Sequence, residues 1–215
     1  IGGLAGDSIT GAGFDGSAAR IAGGDSNVLL GYAAGQNITT GDSNIMIGTV
    51  DAASATADSQ LNIGGWIVGS AGQITMPSQP AFLVQPASQQ DNLAGTGATV
   101  NFATERFDQN ADWNVQTFTA PVTGKYQFNV NLLLLGVDAD INYYSVKLTT
   151  SNRTYSSEFD PDFGQDPARW TVSFGVLADM DASDTATVVL AFSPDDATST
   201  VDISTSSAFS GFLAC

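Results

Sequence analysis

Three aspartates close together in the chain could bind a cation. Asp160, Asp162 and Asp166 offer carboxylate oxygens within seven residues, and Ca²⁺ in proteins is bound by oxygen ligands of this kind. The segment is not an EF-hand loop, because counting from Asp160 places Gly164 at a ligand position and Thr171 where a bidentate Glu is required. A Ca²⁺ site is therefore one interpretation of these carboxylates, and a solvated polar loop between strands is the other.

Aromatic side chains in polar surroundings could bind a partner. Trp113 and Phe163 lie in polar loops, and Tyr143 and Tyr144 open an alternating segment. Rings with a polar edge dominate recognition surfaces, so these four could contact sugar rings or a protein receptor. Filling of the core is the alternative, and we expect it for Trp170, which opens the alternation of its own segment.

Catalytic chemistry finds little support in the sequence. The chain has no histidine, which is the commonest general base near neutral pH, and its single cysteine is the final residue, Cys215. We find no nucleophile elbow, no set of metal ligands with recognisable spacing and no phosphate-binding glycine loop. The sequence therefore predicts a protein that is not an enzyme and that has no cofactor other than the Ca²⁺ considered above.

The charge balance excludes two further classes of partner. Six Lys and Arg residues stand against 22 Asp and Glu residues, giving a net charge of −16, and nucleic-acid binding requires clustered cations. No apolar stretch is long enough to span a bilayer. We expect neither nucleic acid nor membrane insertion. The sequence begins with Ile1 rather than Met, and we expect an upstream region that docks onto other proteins.

Composition divides the chain into two segments. Positions 1–80 contain 16 of the 23 glycines but only three of the 20 aromatic residues. Such a segment cannot bury enough apolar surface alone to offset its conformational entropy. We therefore predict a glycine-rich segment at residues 1–79, which needs partners to fold, and a globular domain at residues 80–215.

The first segment contains a repeat of about 17 residues. The sequence GDSNVLLG at positions 24–31 returns as GDSNIMIG at positions 41–48, and more weakly as SQLNIG at positions 59–64. Each unit combines a turn with a short apolar strand, a combination that stacks rather than folding alone. These repeats resemble those of phage tail-fibre and trimeric-adhesin stalks, which implies a trimeric β-repeat stalk. A flexible glycine-rich linker is the alternative.

The second segment alternates apolar and polar residues between turns, as all-β sandwiches and jelly rolls do. In residues 124–132, Tyr126 and Phe128 lie on the apolar face and Lys125 and Gln127 on the polar face. The same reading predicts strands at residues 99–103, 116–119, 143–149, 153–159, 170–177, 186–192 and 208–213.

Two motifs in this segment resemble the C1q and tumour-necrosis-factor superfamily. FTAPVTGKYQF at positions 118–128 is similar to the central F-x-A-P-x-x-G-x-Y-x-F of that family, and AFSGFL at positions 208–213 is similar to its closing strand. Ser183 and Asp184 stand where the family commonly has Gly-Asp. The resemblance implies a ten-stranded C1q-like jelly roll that forms a compact homotrimer, and some members of the family bind Ca²⁺ near the apex of the trimer.

Together these resemblances predict the C-terminal part of a trimeric viral fibre or spike, from a bacteriophage, on the exterior of the virion. Its jelly-roll head would bind a glycan or a protein on the host cell surface, and the upstream region would contact other virion proteins. The alternative is a structural capsid or cell-surface fibre whose head serves only to trimerise. Because the loops of a rigid scaffold carry recognition, we expect binding in the head rather than in the stalk.

Overall fold

A computed structural model of the chain describes residues 24–193 and 199–215. The chain forms two compact units, Ile1–Ser78 and Gln79–Cys215. The part of the predicted stalk at residues 1–23 lies outside the described residues. Within the described residues, no helix has the length and apolar character needed to cross a membrane.

The N-terminal unit is built on a five-stranded sheet in which the sequence repeats are stacked. Its strands, in sheet order, are β1 (Val28–Leu30), β2 (Ile45–Ile47), β3 (Leu61–Ile63), β4 (Ile67–Ser70) and β5 (Gln73–Thr75). The first three are parallel, and Val28 pairs with Ile45, which pairs with Leu61. The repeat period of the sequence is therefore the length of chain that returns one strand beside the next.

The turn before each parallel strand explains the repeated polar residues. Ser26, Ser43 and Ser59 have φ angles of 60°, 57° and 56°, so the same left-handed turn precedes each strand. Asn27 accepts a hydrogen bond from the Asn44 amide at 2.9 Å, and Asn44 accepts one from the Gln60 amide at 2.8 Å. This side-chain ladder satisfies main-chain donors that would otherwise be buried and unpaired.

The C-terminal unit contains two sheets that enclose one core. Its strands are β6 (Ala81–Gln85), β7 (Gln90–Ala94), β8 (Ala98–Thr99), β9 (Thr104–Gln109), β10 (Trp113–Asn114), β11 (Thr117–Thr119), β12 (Gly124–Leu135), β13 (Tyr143–Thr150), β14 (Thr154–Phe159), β15 (Arg169–Met180), β16 (Thr185–Ser193), β17 (Thr200–Ile203) and β18 (Ala208–Leu213). The unit is therefore all-β in its described residues, and these thirteen strand segments do not confirm the predicted count of ten.

One sheet has seven strands and the other has six. The first follows the order β7-β17-β12-β18-β6-β9, with β15 on the other side of β12. The second follows the order β10-β11-β16-β13-β14, with β8 also paired to β16. Both sheets contain neighbouring strands that are not consecutive in the chain, as a jelly roll requires.

The core between the sheets is rich in aromatic rings contributed by the two motifs. Phe118, Tyr126, Phe128 and Phe209 are all fully buried, and their ring centroids lie 5.4 to 6.1 Å apart in the pairs that touch. Offset and edge-on aromatic pairs at such distances add to the stabilisation from buried area alone. The motif residues therefore have a packing role.

The alternation of the sequence located β11, β13, β14, β16 and β18 to within two residues, whereas β15 continues three residues beyond its predicted end, and β7, β9, β10 and β17 are not among the predicted strands. In the segment predicted at residues 99–103, the strand is Ala98–Thr99. Val100 and Phe102 are nevertheless fully buried, and their amides donate to the carbonyls of Val188 and Val115. Val100 and Phe102 therefore belong to a buried segment that leaves the sheet, because its main-chain amides bond to two different parts of the chain.

Candidate binding site at one end of the C-terminal unit

Two exposed aromatic rings lie side by side where β15 begins. The ring centroids of Phe163 and Trp170 are 4.6 Å apart, with an angle of 35° between the rings. Phe163 is 38% exposed and Trp170 is 37% exposed. Large rings held at the surface by their neighbours offer contact area at a low entropic cost, which makes this pair a candidate binding surface. We call it the Phe163–Trp170 pair.

A line of rings connects this pair to the core. Trp170 lies 5.6 Å from Phe159 at the end of β14, and Phe159 stacks on Tyr144 of β13 at 5.2 Å with parallel ring planes. Tyr144 is fully buried. The exposed pair is therefore supported from beneath by three strands, so its position is fixed by the scaffold.

Hydrogen bonds hold the two loops around the pair together. The Tyr144 hydroxyl accepts a bond from the Asp138 amide at 3.0 Å, and the Asp166 carboxylate accepts one from the Ala139 amide at 3.0 Å. Burial raises the pKa of Tyr144 above its ordinary value, and the nearby carboxylates of Asp138 and Asp166 act in the same direction. The ring therefore stays neutral and can serve as a fixed support at physiological pH.

The structure does not group the three aspartates considered as calcium ligands, and Ca²⁺ binding by them stays a prediction. No group of three or more His, Cys, Asp or Glu side chains is placed to hold a metal ion in the described part of the chain. Asp160 accepts a bond from the amide of Asp162 at 3.1 Å, and Asp166 is engaged with Ala139. Two of these carboxylates therefore accept hydrogen bonds from main-chain amides of nearby loops.

Two of the four aromatic residues predicted to contact a partner belong to the core. Trp113 is only 6% exposed, and Tyr144 is fully buried. Trp113 lies in the short strand β10, where it packs against Phe82 and Phe209. The prediction that these two rings are exposed is wrong, because strands distant in the sequence cover both of them.

Tyr143, Phe163 and Trp170 are exposed at the surface, unlike Trp113 and Tyr144. Tyr143 is 45% exposed beside the buried Tyr144, and Phe163 is exposed as expected. A binding role for either remains a prediction. Trp170, which the sequence predicts in the core, is partly exposed, and its ring packs against Phe159 and Phe163. Its place at the junction of a polar loop and a strand is the one sequence signal that could have indicated this.

Exposed apolar residues also lie on the seven-stranded sheet, on the face opposite the core, which carries Lys125 and Gln127 as well. Gln127 of β12 pairs with Leu177 of β15 on one side and with Phe212 of β18 on the other. Leu177 is 55% exposed and Phe212 is 45% exposed. Phe107 of β9 lies on the same face and is also exposed. Exposed apolar side chains grouped on one face commonly mark an interface between proteins.

Fold and surfaces together describe a β-sandwich module with exposed apolar residues on one face and a pair of exposed rings at one end. Residues 81–214 match the C1q domain family, and the chain belongs to that family. C1q domains are typically non-enzymatic binding or trimerising modules. The N-terminal unit lies outside the matched residues.

Two solved structures illustrate the similarity. The globular domain of the zebrafish complement 1qA protein shares 19% sequence identity, with a TM-score of 0.49, over 64% of this chain and 98% of that chain. A crystal structure of mouse APRIL shares 10% identity, with a TM-score of 0.46, over 63% of this chain and 98% of that chain. No curated protein matches the chain significantly in sequence.

Proposed function

We propose that this chain is the C-terminal part of a homotrimeric bacteriophage fibre or spike, on the exterior of the virion, whose C1q domain binds the host cell surface. The upstream region would join the fibre to other virion proteins. The observation that carries the binding role is the Phe163–Trp170 pair. It is exposed, supported by the core and located in the loops at one end of a rigid sandwich.

The ligand that we propose is a glycan or a protein of the host surface. Both are recognised by aromatic platforms with polar groups nearby. Tyr143 is exposed at the start of β13, and Asp160 and Asp162 are exposed in the loop that carries Phe163. A sugar ring could stack on the apolar rings while its hydroxyl groups donate to these carboxylates.

The proposed homotrimer is supported by the exposed apolar residues on the outer face of the seven-stranded sheet. Leu177, Phe212 and Phe107 would be covered by neighbouring copies, which removes apolar area from water at about 25 cal/mol per Å². Gln127, in the same row, can pair with polar groups across such an interface. Oligomers of identical chains are usually symmetric, so each copy would contribute the same face.

The bacteriophage attribution rests on the repeats of the N-terminal unit. Their resemblance to stalk repeats of phage fibres and trimeric adhesins motivates it, and the parallel stacking of β1, β2 and β3 is the arrangement that such repeats need. A stack of repeats presents the same surface many times and offers no unique site. We therefore assign recognition to the C1q domain.

The test is attachment of the fluorescently labelled full chain to a panel of intact bacterial strains. We expect binding to at least one strain, weakened about tenfold or more by Phe163→Ala or by Trp170→Ala. Trp66→Ala is the matched control, because Trp66 is an aromatic residue of the N-terminal unit that is 73% exposed. It should leave attachment unchanged. Binding that is insensitive to both loop variants would contradict the assignment of the site.

A second candidate function is a structural capsid or cell-surface fibre whose C1q domain serves only to trimerise. The exposed Leu177 and Phe212 favour it, since contact between identical copies would account for them without a ligand. This candidate predicts a trimeric mass by light scattering, with no attachment to any strain. Under either function, Phe212→Asp should lower the mass towards that of a monomer, whereas Ser210→Ala, two residues away on the same face, should not.

A further inference from the structure

The five-stranded sheet of the N-terminal unit has an apolar face turned away from its own core. Side chains alternate along each short strand, so Leu29 and Met46 point inward and are buried. Their neighbours point outward and form two rows across the parallel strands. The first row is Val28, Ile45 and Leu61, and the second is Leu30, Ile47 and Ile63. We call these six residues the outer apolar face.

Three of the six residues of this face are exposed in a single chain, and Ile47, Leu61 and Ile63 are half-buried. Val28 is 49% exposed, Leu30 is 58% exposed and Ile45 is 39% exposed. The hairpin formed by β4 and β5 continues the face with Ile67, which pairs with Ile63, and with Ile74, which is 68% exposed. A contiguous aliphatic surface across five strands is unusual on a protein that acts as a monomer, and it marks an interaction site.

Within residues 24–78, the inner core of the same unit is small. The buried apolar residues there are Leu29, Ala34, Ile38, Met46 and Ala52, and two of the five are alanine. Ordering each residue of the backbone costs conformational entropy, which burial of apolar surface must offset. The outer face supplies the larger aliphatic side chains, so covering it adds most of the burial that is missing.

Two properties of the outer face indicate that its occupant is a further copy of this chain. Neighbouring strands are about 4.8 Å apart, so the face repeats with that spacing along the stack. An identical chain lying alongside presents rows with the same spacing and the same number of strands. A partner of unrelated sequence would match this periodic surface only by coincidence.

Charge also permits contact between identical copies. Residues 24–78 contain no Lys or Arg and four acidic residues, and Asp25, Asp42 and Asp58 lie in the turns that precede the strands, not on the outer face. Sheets that must stay apart usually carry charges on their exposed strands. The outer apolar face has none, so identical faces meet without like-charge repulsion.

We propose that the outer apolar face packs against the same face of two further copies of this chain, which lie side by side, parallel and in register. The number of copies rests on the homotrimer proposed above, whereas the choice of surface rests on the N-terminal unit alone. In this arrangement the rows of the three chains surround a shared axis. The unit then folds around two cores, one within each chain and one between chains.

Cross-linking of the full chain tests the proposal. In a Cys215→Ser background, which removes the exposed native thiol, Ile45→Cys places a single thiol on the outer face. Thr56→Cys is the matched control, because Thr56 is exposed in the connection between β2 and β3. With a short bismaleimide at micromolar protein, Ile45→Cys should give covalent dimers on a denaturing gel, and Thr56→Cys should remain monomeric. Every cross-link is intermolecular because each chain carries one thiol.

Further measurements distinguish a contact made by the outer apolar face from trimerisation through the C1q domain. Val28→Cys replaces Ile45→Cys if circular dichroism shows that the latter has lost its β-structure. Cross-linking that persists when Phe212→Asp is added supports a contact made by the N-terminal unit itself. A trimeric mass by light scattering, with outer-face thiols that cross-link no better than Thr56→Cys, would overturn this inference and leave the C1q trimer standing. A monomeric mass would overturn both.

Discussion

The indole nitrogen of Trp113 donates a hydrogen bond to the main-chain oxygen of Phe102 at 3.1 Å. The Trp113 ring stacks on Phe82 with centroids 5.3 Å apart and meets Phe209 edge-on at 5.6 Å. The bond joins the short strand β10 to a buried segment that has left the sheet. Trp113 therefore anchors irregular backbone to the aromatic core, which is a structural role and not a contact with a partner.

Two substitutions at Trp113 separate its packing from its hydrogen bond. Trp113→Ala leaves a cavity in the aromatic core and should lower the free energy of unfolding by about 3 to 5 kcal/mol. Trp113→Phe keeps most of the ring but leaves the Phe102 oxygen unpaired, at a cost of about 1 to 3 kcal/mol. Urea denaturation measures both. If Trp113→Ala kept full stability and lost attachment to cells, Trp113 would be a contact residue after all.

The sequence located the strands because burial on one face imposes a period of two. Residues 124–135 form one strand in which Tyr126, Phe128, Val130 and Leu132 are buried, as the alternation predicts. The stacking of the repeats also followed from the sequence, since a turn and a strand of fixed length must return the chain to the same position. These features depend only on local pattern.

Exposure of individual aromatic residues could not be predicted in the same way. Trp113 is covered by Phe82 and Phe209, which are 31 and 96 positions away in the chain. Tyr144 is buried because it lies on the core face of β13, where Phe159 of β14 and Phe192 of β16 pack against its ring. Trp170 is the first residue of the apolar alternation in β15, and it lies at the exposed end of that strand. Each outcome depends on tertiary neighbours that no local pattern contains.

Gly211 in the closing motif is required by its aromatic neighbours. A Cβ atom at this position would lie 2.6 Å from a ring carbon of Phe128 and 2.8 Å from one of Phe82. Gly211→Ala should therefore overpack the core and lower the free energy of unfolding by about 1 to 3 kcal/mol. Ser210→Ala, on the opposite face of the same strand, should change it by less than about 0.5 kcal/mol. Equal changes in the free energy of unfolding for the two variants, measured by urea denaturation, would show that the core accommodates the added Cβ atom without strain.

Asn27 should be the residue on which the stacking of the first two repeats depends. Its side chain donates to the Gly41 oxygen at 3.0 Å and accepts from the Asn44 amide at 2.9 Å, and it is buried. Asn27→Ala leaves both main-chain groups without that partner, at a cost of about 1 to 3 kcal/mol.

Hydrogen exchange measures this effect locally, since the amide of Asn44 should exchange faster in Asn27→Ala while amides of the C1q domain are unchanged. Gln36→Ala is the control, because Gln36 is exposed in the same unit. Unchanged protection of the Asn44 amide would mean that the ladder does not hold the repeats together.

Asp112 should make the stability of the C1q domain depend on pH. Burial raises the pKa of Asp112 above its ordinary value of 3.8, and the nearby Asp108 carboxylate raises it further. One carboxylate oxygen of Asp112 is buried without a hydrogen-bond partner. The Asp108 carboxylate accepts hydrogen bonds from the main-chain amides of Asp112 and Trp113, at 3.2 and 3.0 Å. The folded chain therefore favours the neutral form of Asp112.

The direction of the pH effect follows from proton binding. Between pH 3.8 and the raised pKa, the folded chain binds more protons at Asp112 than the unfolded chain does. The free energy of unfolding must then fall as the pH rises through that interval. The favourable contribution of Asp112 is complete below pH 3.8 and is lost above the pKa of the folded state.

Asp112→Asn removes this titration and should flatten that part of the pH profile. Measured by urea denaturation at a series of pH values from 4 to 7, the wild-type chain should lose stability relative to Asp112→Asn as the pH rises. Asp140→Asn makes the same change of charge at an exposed position and controls for the net charge of the chain. If the difference between wild type and Asp112→Asn stayed constant over this range, the Asp112 carboxyl group would have no raised pKa in the folded protein.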